Sequence, residues 1–322
     1  MQRIIIAVAV VVALGGGYLV WQPADSNPSV GKSEANYLLA FHGCDTAKTD
    51  CRKPQNHLVY VAESQDGEAW NLLPNWEPFA GSVPDIVERE GILYIYSAQG
   101  GGTVVRYDLS LNKILSQKQV SVENVVGFVD PAPIIDEDGN IVLFFLHCRY
   151  QGSSTHCFDS DAGTQRNIEP EHFIGSAVEV EGSDGAEFVL VGGDRLTTKN
   201  GTDPDIFFDG SRYVLYVSYG PSVGAYSSLT LHGSYISTLP SRGFLSKAGG
   251  VPSGYYDAAV KLYQSFVHAA SGADNIAVIK TVAHQDLSSE IKNASWKTIL
   301  TAEELGLAAT TTIESPGILV LE

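Results

Sequence analysis

Positive charge is scarce in this chain: 20 Lys and Arg stand against 37 Asp and Glu over 322 residues, a net charge of −17. A surface of that sign repels phosphate backbones, which excludes nucleic acid as an expected partner. Methionine is confined to Met1, and there is no long amphipathic helical stretch; at most Ala302 to Leu307 makes a helical turn. Abundant glycine, tyrosine and β-branched residues favour strands instead. Only four cysteines are present, and none is spaced Cys-x-x-Cys as a zinc site would want. Local pairing, Cys44 with Cys51 and Cys148 with Cys157, is the simplest of three connectivities and fits an oxidising compartment. Neither an EF-hand loop nor His-Glu-x-x-His occurs, so no motif of its own argues for a metal.

One long apolar run stands apart. Ile4 to Trp21, uncharged and preceded by Arg3, just suffices to span a hydrocarbon core as a helix. No convincing Ala-x-Ala-like cleavage site follows it. Residues 1–21 therefore read as a signal anchor or a signal peptide, and 22–34 as a linker. Either reading exports the remainder, leaving it membrane-anchored or periplasmic/extracellular, with the membrane met through the N-terminal helix only.

Residues 35–322 hold an uneven repeat. Three segments share one plan of strand, glycine-bearing turn and aromatic second strand: SVPDIVEREGILYIYSAQ (82–99), VDPAPIIDEDGNIVLFFLH (129–147) and TDPDIFFDGSRYVLYVSY (202–219). YDAAVKLYQSFVHAA (256–270) is a weaker fourth. The fifth is split, IESPGILVLE (313–322) supplying the first strand and ANYLLAFHG (35–43) the second. Repeated antiparallel sheets of about four strands predict an all-β fold, a five-bladed β-propeller whose N- and C-terminal strands close one blade. Two β-sandwiches are the competing architecture.

A propeller gathers the starts of its first strands, and the ends of its second strands, at one channel mouth. That places Asp130, Asp203, Asp257 and Glu314 together, with Asp85 on the same face but deeper. His42, Gln99, His147, Tyr219 and His268 fall at the second-strand ends. An isolated Asp-Pro is a common turn device, and a lone histidine is more often a hydrogen-bonded wall residue than a ligand. Four acids facing histidines suit other chemistry: carboxylates held close raise one another's pKa, so a proton donor and a proton acceptor coexist at neutral pH. Glycoside hydrolysis needs such a pair.

These phrases resemble the five-bladed propellers of glycoside hydrolase family 43, related to families 32, 62 and 68. Thr202 to Gly210, and Val129-Asp130-Pro131 with Asp136 to Gly139, are similar to that family's Ile-Asp-Pro-x-Val-Phe-x-Asp-x-Asp-Gly motif. Glu314-Ser315-Pro316 is similar to its Glu-Gly-Pro, which carries the general acid. Taken in direct blade order, the resemblance puts the base in the first hairpin, where Val83-Pro84-Asp85 stands, and the acid in the fourth. Shifted by one blade, it makes Asp130 the base, Asp257 the pKa modulator and Glu314 the acid. The resemblance implies an extracytoplasmic arabinosidase-, xylosidase- or fructosidase-like hydrolase with a carbohydrate partner, Tyr219 and the histidines positioning the sugar. It implies no required cofactor, though a calcium ion in the channel is compatible with it. A non-catalytic carbohydrate-binding or protein-interaction propeller is the alternative.

Ser64-Gln65-Asp66-Gly67-Glu68-Ala69-Trp70 resembles a sialidase Asp box, an outer-strand turn, with one residue missing. Sialidases also need three arginines for the substrate carboxylate, and only Arg149 lies near a strand end at the mouth. Asn200 and Asn293 begin glycosylation sequons that matter only in a suitable host.

Overall fold

Proline cannot donate to a β ladder, so a strand that contains one must bulge or stop. Here Pro84, Pro131, Pro204 and Pro252 stand third in four strands and Pro316 sixth in a fifth, and each of these strands leads a separate sheet. The computed structural model describes residues 36–98, 102–125, 129–147, 171–240, 243–272 and 275–321. The apolar N-terminal run, the linker, Gln99, Arg149 and the Cys148–Cys157 pair lie outside the described residues.

The five sheets are the blades of a β-propeller. Blade I is Ser82–Arg89, Ile92–Ala98, Thr103–Asp108 and Lys113–Gln119. Blade II is Val129–Ile135, Ile141–His147, Glu171–Glu179 and Glu187–Leu190, with two short strands added at its edges. Blade III is Thr202–Phe208, Tyr213–Tyr219, Ser222–Ser228 and Ile236–Ser237, and blade IV is Gly250–Asp257, Leu262–Ser271, Ile276–His284 and Lys297–Leu300. Blade V takes its inner strand, Thr311–Val320, from the C-terminal end of the chain. Its next strands, Tyr37–Asp45 and Leu58–Ser64, come from the N-terminal side. Inner strands neighbour one another in the cyclic order I to V and back to I, which closes the ring.

Alternation along each second strand splits the core into five seams. Tyr94 and Tyr96 of blade I meet Phe145 and Phe188 of blade II. Phe144 and Leu146 of blade II meet Leu215 and Val217 of blade III. Equivalent seams join III to IV, IV to V and V to I. An ionic clip backs the first seam, Arg89 donating through both terminal nitrogens to the buried Glu179 carboxylate. Among the described residues, helix is limited to short 3-10 turns such as Pro54–Asn56 and Asn293–Ser295.

The Asp-box phrase folds as an outer turn of blade V. Ser64 Oγ accepts the Gly67 N–H, Asp66 Oδ1 accepts those of Glu68 and Ala69, and the buried Trp70 indole donates to the Gly67 carbonyl.

The fourth repeat begins earlier than its sequence suggested. Its inner strand starts at Gly250-Val251-Pro252-Ser253 and ends at Asp257. The mark of an inner strand is the proline with its bulge, and this strand carries no acid before its proline.

Phe145 is fully buried between blades I and II. Phe145→Ala is expected to cost about 3–5 kcal/mol, seen as a lower urea midpoint at unchanged slope. A loss below about 1 kcal/mol would show that this seam does not carry the fold.

Candidate functional site

All five inner strands repeat one distortion. The residue before proline has a left-handed backbone: Val83 (φ 48°), Asp130 (54°), Asp203 (47°), Val251 (45°) and Ser315 (56°). Residues preceding proline normally lie in the extended region, and positive φ in a β-branched valine is a marked outlier. The pairing register shifts at each of these points, so each is a β-bulge, a device that re-aims side chains.

What holds the strain is a hydrogen bond from the neighbouring blade. Val83 N–H donates to His42 Nδ1 (3.2 Å), Asp203 N–H to Asp130 Oδ2 (3.3 Å), Val251 N–H to Ser218 Oγ (3.0 Å) and Ser315 N–H to His268 Nδ1 (3.2 Å). His42 and His268 thus have a structural task that fixes their chemistry. A ring nitrogen that accepts a backbone N–H leaves a neutral imidazole with its proton on Nε2. His42 Nε2 is buried, has no hydrogen-bond partner, and lies 3.9 Å from Glu314 Oε2. Burial, then the neighbouring His57 and His268, holds His42 well below the ordinary imidazole value, so the ring stays neutral. Burial likewise lowers His268, against the opposing pull of the Glu314 and Asp203 carboxylates beside it.

The mouth therefore joins acids from three blades. Asp130 (blade II) accepts the backbone N–H of Asp203 (blade III), and the neutral His268 ring lies near enough to feel both the Asp203 and the Glu314 (blade V) carboxylates. Burial and then the Asp203 charge push Asp130 well above the carboxylate range. Asp203 is raised by burial, while the Thr202 hydroxyl (2.6 Å) and His268 act in the opposite sense. Such a pair retains a proton where isolated carboxylates have lost theirs.

A second layer lies below, from the residues just after the prolines. Asp205 is almost fully buried, accepting the Ser253 hydroxyl (3.1 Å) and the Gly254 N–H (3.0 Å), and Ser253 in turn accepts the Ile318 N–H. Burial raises Asp205 to about 7. Burial, then the Asp205 charge, pushes Asp85 well above the ordinary carboxylate range. The channel is narrow here: a Cβ on Gly317 would stand 2.6 Å from Asp85 Oδ1 and 2.8 Å from Asp85 Cα. Asp85 thus lies deeper than the mouth, as its spacing in the sequence indicated.

Three placements correct the sequence reading. Asp257 ends its inner strand, a strand's length from the mouth, and its carboxylate accepts the N–H groups of Ala259 and Val260 in the hairpin turn. It cannot join the other acids. His147 and Tyr219 are one residue out of register. Leu146 and Ser218, not these two, align with His42 and His268 opposite the inner-strand starts. A one-residue offset turns a side chain to the other face of its sheet. His147 faces Asp194 at 3.5 Å, and Tyr219 shares a 2.5 Å hydroxyl contact with Tyr226 and packs on Phe244.

Sequence reasoning missed His57, Ser82, Asp205 and Ser218. Register would have found Ser218 and Asp205, which sit at repeat positions. His57 lies in a loop outside the repeat. The Cys44–Cys51 disulfide is formed and closes the loop that leaves the mouth after His42-Gly43. Among the described residues no three His, Cys, Asp or Glu side chains are grouped to hold a metal ion.

The fold and its acid-lined mouth define the class: a five-bladed β-propeller with carboxylates from several blades at one end of its channel. No protein-family model and no curated protein matches the sequence. Solved structures match its fold. A family 43 arabinoxylan arabinofuranohydrolase from Bacillus subtilis, in complex with cellotetraose, aligns with TM-score 0.51 and 15% identity over 83% of this chain and 66% of that one. This chain thus spans just under two thirds of that enzyme's length. A family 43 enzyme from Xanthomonas citri complexed with xylotriose aligns with TM-score 0.54 and 18% identity, over 78% of this chain and 84% of that one. An endo-1,4-β-xylanase from Bacteroides thetaiotaomicron aligns with TM-score 0.51 and 14% identity, over 80% and 94%. At such identities the shared property is the fold.

The Asp85–Asp205 pair has a pH signature. Both groups bind protons more tightly folded than unfolded, so the unfolded chain holds fewer protons and stability falls as pH rises. Their contribution is complete below about pH 4 and is lost as pH rises through the folded value of about 7 for Asp205. Thermal midpoints should fall between pH 5 and 9. Asp85→Asn, which mimics the protonated acid, should flatten that fall; an unchanged slope in Asp85→Asn would contradict the pairing.

Proposed function

We propose that the protein is a glycoside hydrolase acting at the channel mouth on arabinosides, xylosides or related furanosides. The observation that supports the reading is a chain of contacts across blades: Asp130 accepts the Asp203 N–H, the His268 ring lies near both Asp203 and Glu314, and His42 Nε2, without a partner, lies 3.9 Å from Glu314. The Asp130–Asp203 pair, keeping a proton, donates it to the leaving oxygen. Glu314, with 30% of its side chain exposed, is the carboxylate that activates water on the other side, which reverses the base and acid roles that the family resemblance implied for Asp130 and Glu314. His42 and His268 donate to sugar hydroxyls. Asp203 takes the modulating part that Asp257 cannot. The solved enzymes of like fold, an arabinoxylan arabinofuranohydrolase, an endo-1,4-β-xylanase and an enzyme complexed with xylotriose, support this choice of substrate.

Export belongs to the same proposal. The apolar stretch Ile4 to Trp21 and the formed Cys44–Cys51 bridge both suit an oxidising, extracytoplasmic site.

A second reading, a carbohydrate-binding propeller without turnover, is favoured by one observation. In direct blade order the resemblance places the base and the acid in blades I and IV, where Val83 and Gly250-Val251 stand.

Aryl arabinosides and xylosides separate the two. The hydrolase predicts measurable release of the aryl group, reduced about 100- to 10,000-fold in Asp130→Asn and in Glu314→Gln. Equal, near-background rates in wild type and both variants, together with calorimetric binding of xylotriose, would establish the binding protein instead.

A further inference from the structure

We infer that His57 is a positioning residue, clamped by the disulfide-bonded loop, that fixes His42 as a hydrogen-bond donor to an uncharged ligand oxygen at the mouth. The ligand part of this inference rests on the carbohydrate reading above; the proton placement does not.

His57 belongs to no repeat strand. Its Nε2 lies 2.8 Å from the Cys51 carbonyl, and its Nδ1 lies 2.9 Å from Ser82 Oγ. A carbonyl only accepts, so Nε2 carries the proton and Nδ1 accepts from the Ser82 hydroxyl. Both nitrogens are thereby spoken for, one by blade V and one by blade I. The nearly buried ring stacks on His42 at 4.2 Å with only 7° between the planes. His42 Nδ1 meets the Val83 N–H, and Val83 directly follows Ser82. Ser82-Val83 thus grips both imidazoles of the stack, one residue to each ring, at a strained bulge.

The order of constraint runs from the Cys44–Cys51 bridge to the Cys51 carbonyl, to His57, to the plane of His42, and so to the aim of His42 Nε2. That nitrogen is the unpartnered buried donor beside Glu314. An N–H held there without a protein acceptor suits an oxygen that can accept while Glu314 accepts from the same group, which is what a sugar hydroxyl does. A cationic amine could not satisfy it.

Histidine ¹⁵N NMR on the full-length chain reads the His42 proton directly, and calorimetry with xylotriose reads the consequence. Wild type should show His42 protonated on Nε2 only. His57→Phe keeps a stacked ring but loses both polar contacts; with its plane no longer held, His42 should swing off the Val83 N–H, show a mixed tautomer and bind xylotriose about tenfold more weakly. His57→Gln, whose amide reaches the Cys51 carbonyl, should recover most of both. The double variant Cys44→Ser/Cys51→Ser should move in the direction of His57→Phe, and it carries the test if His57→Phe does not fold. A His42 tautomer unchanged in His57→Phe, or in the double variant, would overturn the inference. Wild type that fails to bind xylotriose would sink the carbohydrate reading alone, since the tautomer still reports on the clamp.

Discussion

The arrangement depends on a backbone N–H that would otherwise have no partner. Each inner strand turns left-handed just before its proline, a conformation that costs roughly 1–3 kcal/mol per residue. In four of the five bulges a side chain from the blade before accepts the N–H of the strained residue. The acceptor must be an imidazole, a hydroxyl or a carboxylate, and it must stand at the mouth. Closing the propeller therefore brings ligand-competent groups to one place as a by-product of satisfying the backbone. Histidine serves both ends: Nδ1 completes the fold, and Nε2–H is left for whatever enters.

Two acid layers follow from the same bulge. Side chains just before the prolines reach the mouth, and those just after form the layer beneath. Asp130 and Asp203 belong to the first, Asp85 and Asp205 to the second. Burial dominates the raised affinity for protons in both layers, with the neighbouring charge second where it contributes. The upper layer lies beside His268, which in turn lies beside Glu314. The lower is packed against Gly317 and Ser253, with Asp205 buried and Asp85 half-buried.

Much of this was legible in the sequence. Five hairpin phrases, the split blade and the Cys44–Cys51 bridge came from period and spacing, because a two-residue alternation leaves a strong trace. Asp130, Asp203, Glu314, His42 and His268 were readable as a group for the same reason. Asp257 misleads because the mark of an inner-strand start is the proline and not the acid. Gly250-Val251-Pro252 has the proline and lacks the acid. His147 and Tyr219 misled through register: with a period of two, one residue separates a mouth position from a seam between blades. His57 left no trace, since its place is set by a loop and a carbonyl.

The claim on which the account turns is that acids from different blades share one electrostatic site. Carboxyl ¹³C NMR titration of Asp130 and Asp203, with and without Glu314→Gln, tests it most directly. The account predicts that one of the two holds its proton well above the ordinary carboxylate value of about 4, and that removing the Glu314 charge shifts both titrations. Two independent titrations near that value, indifferent to Glu314, would contradict it.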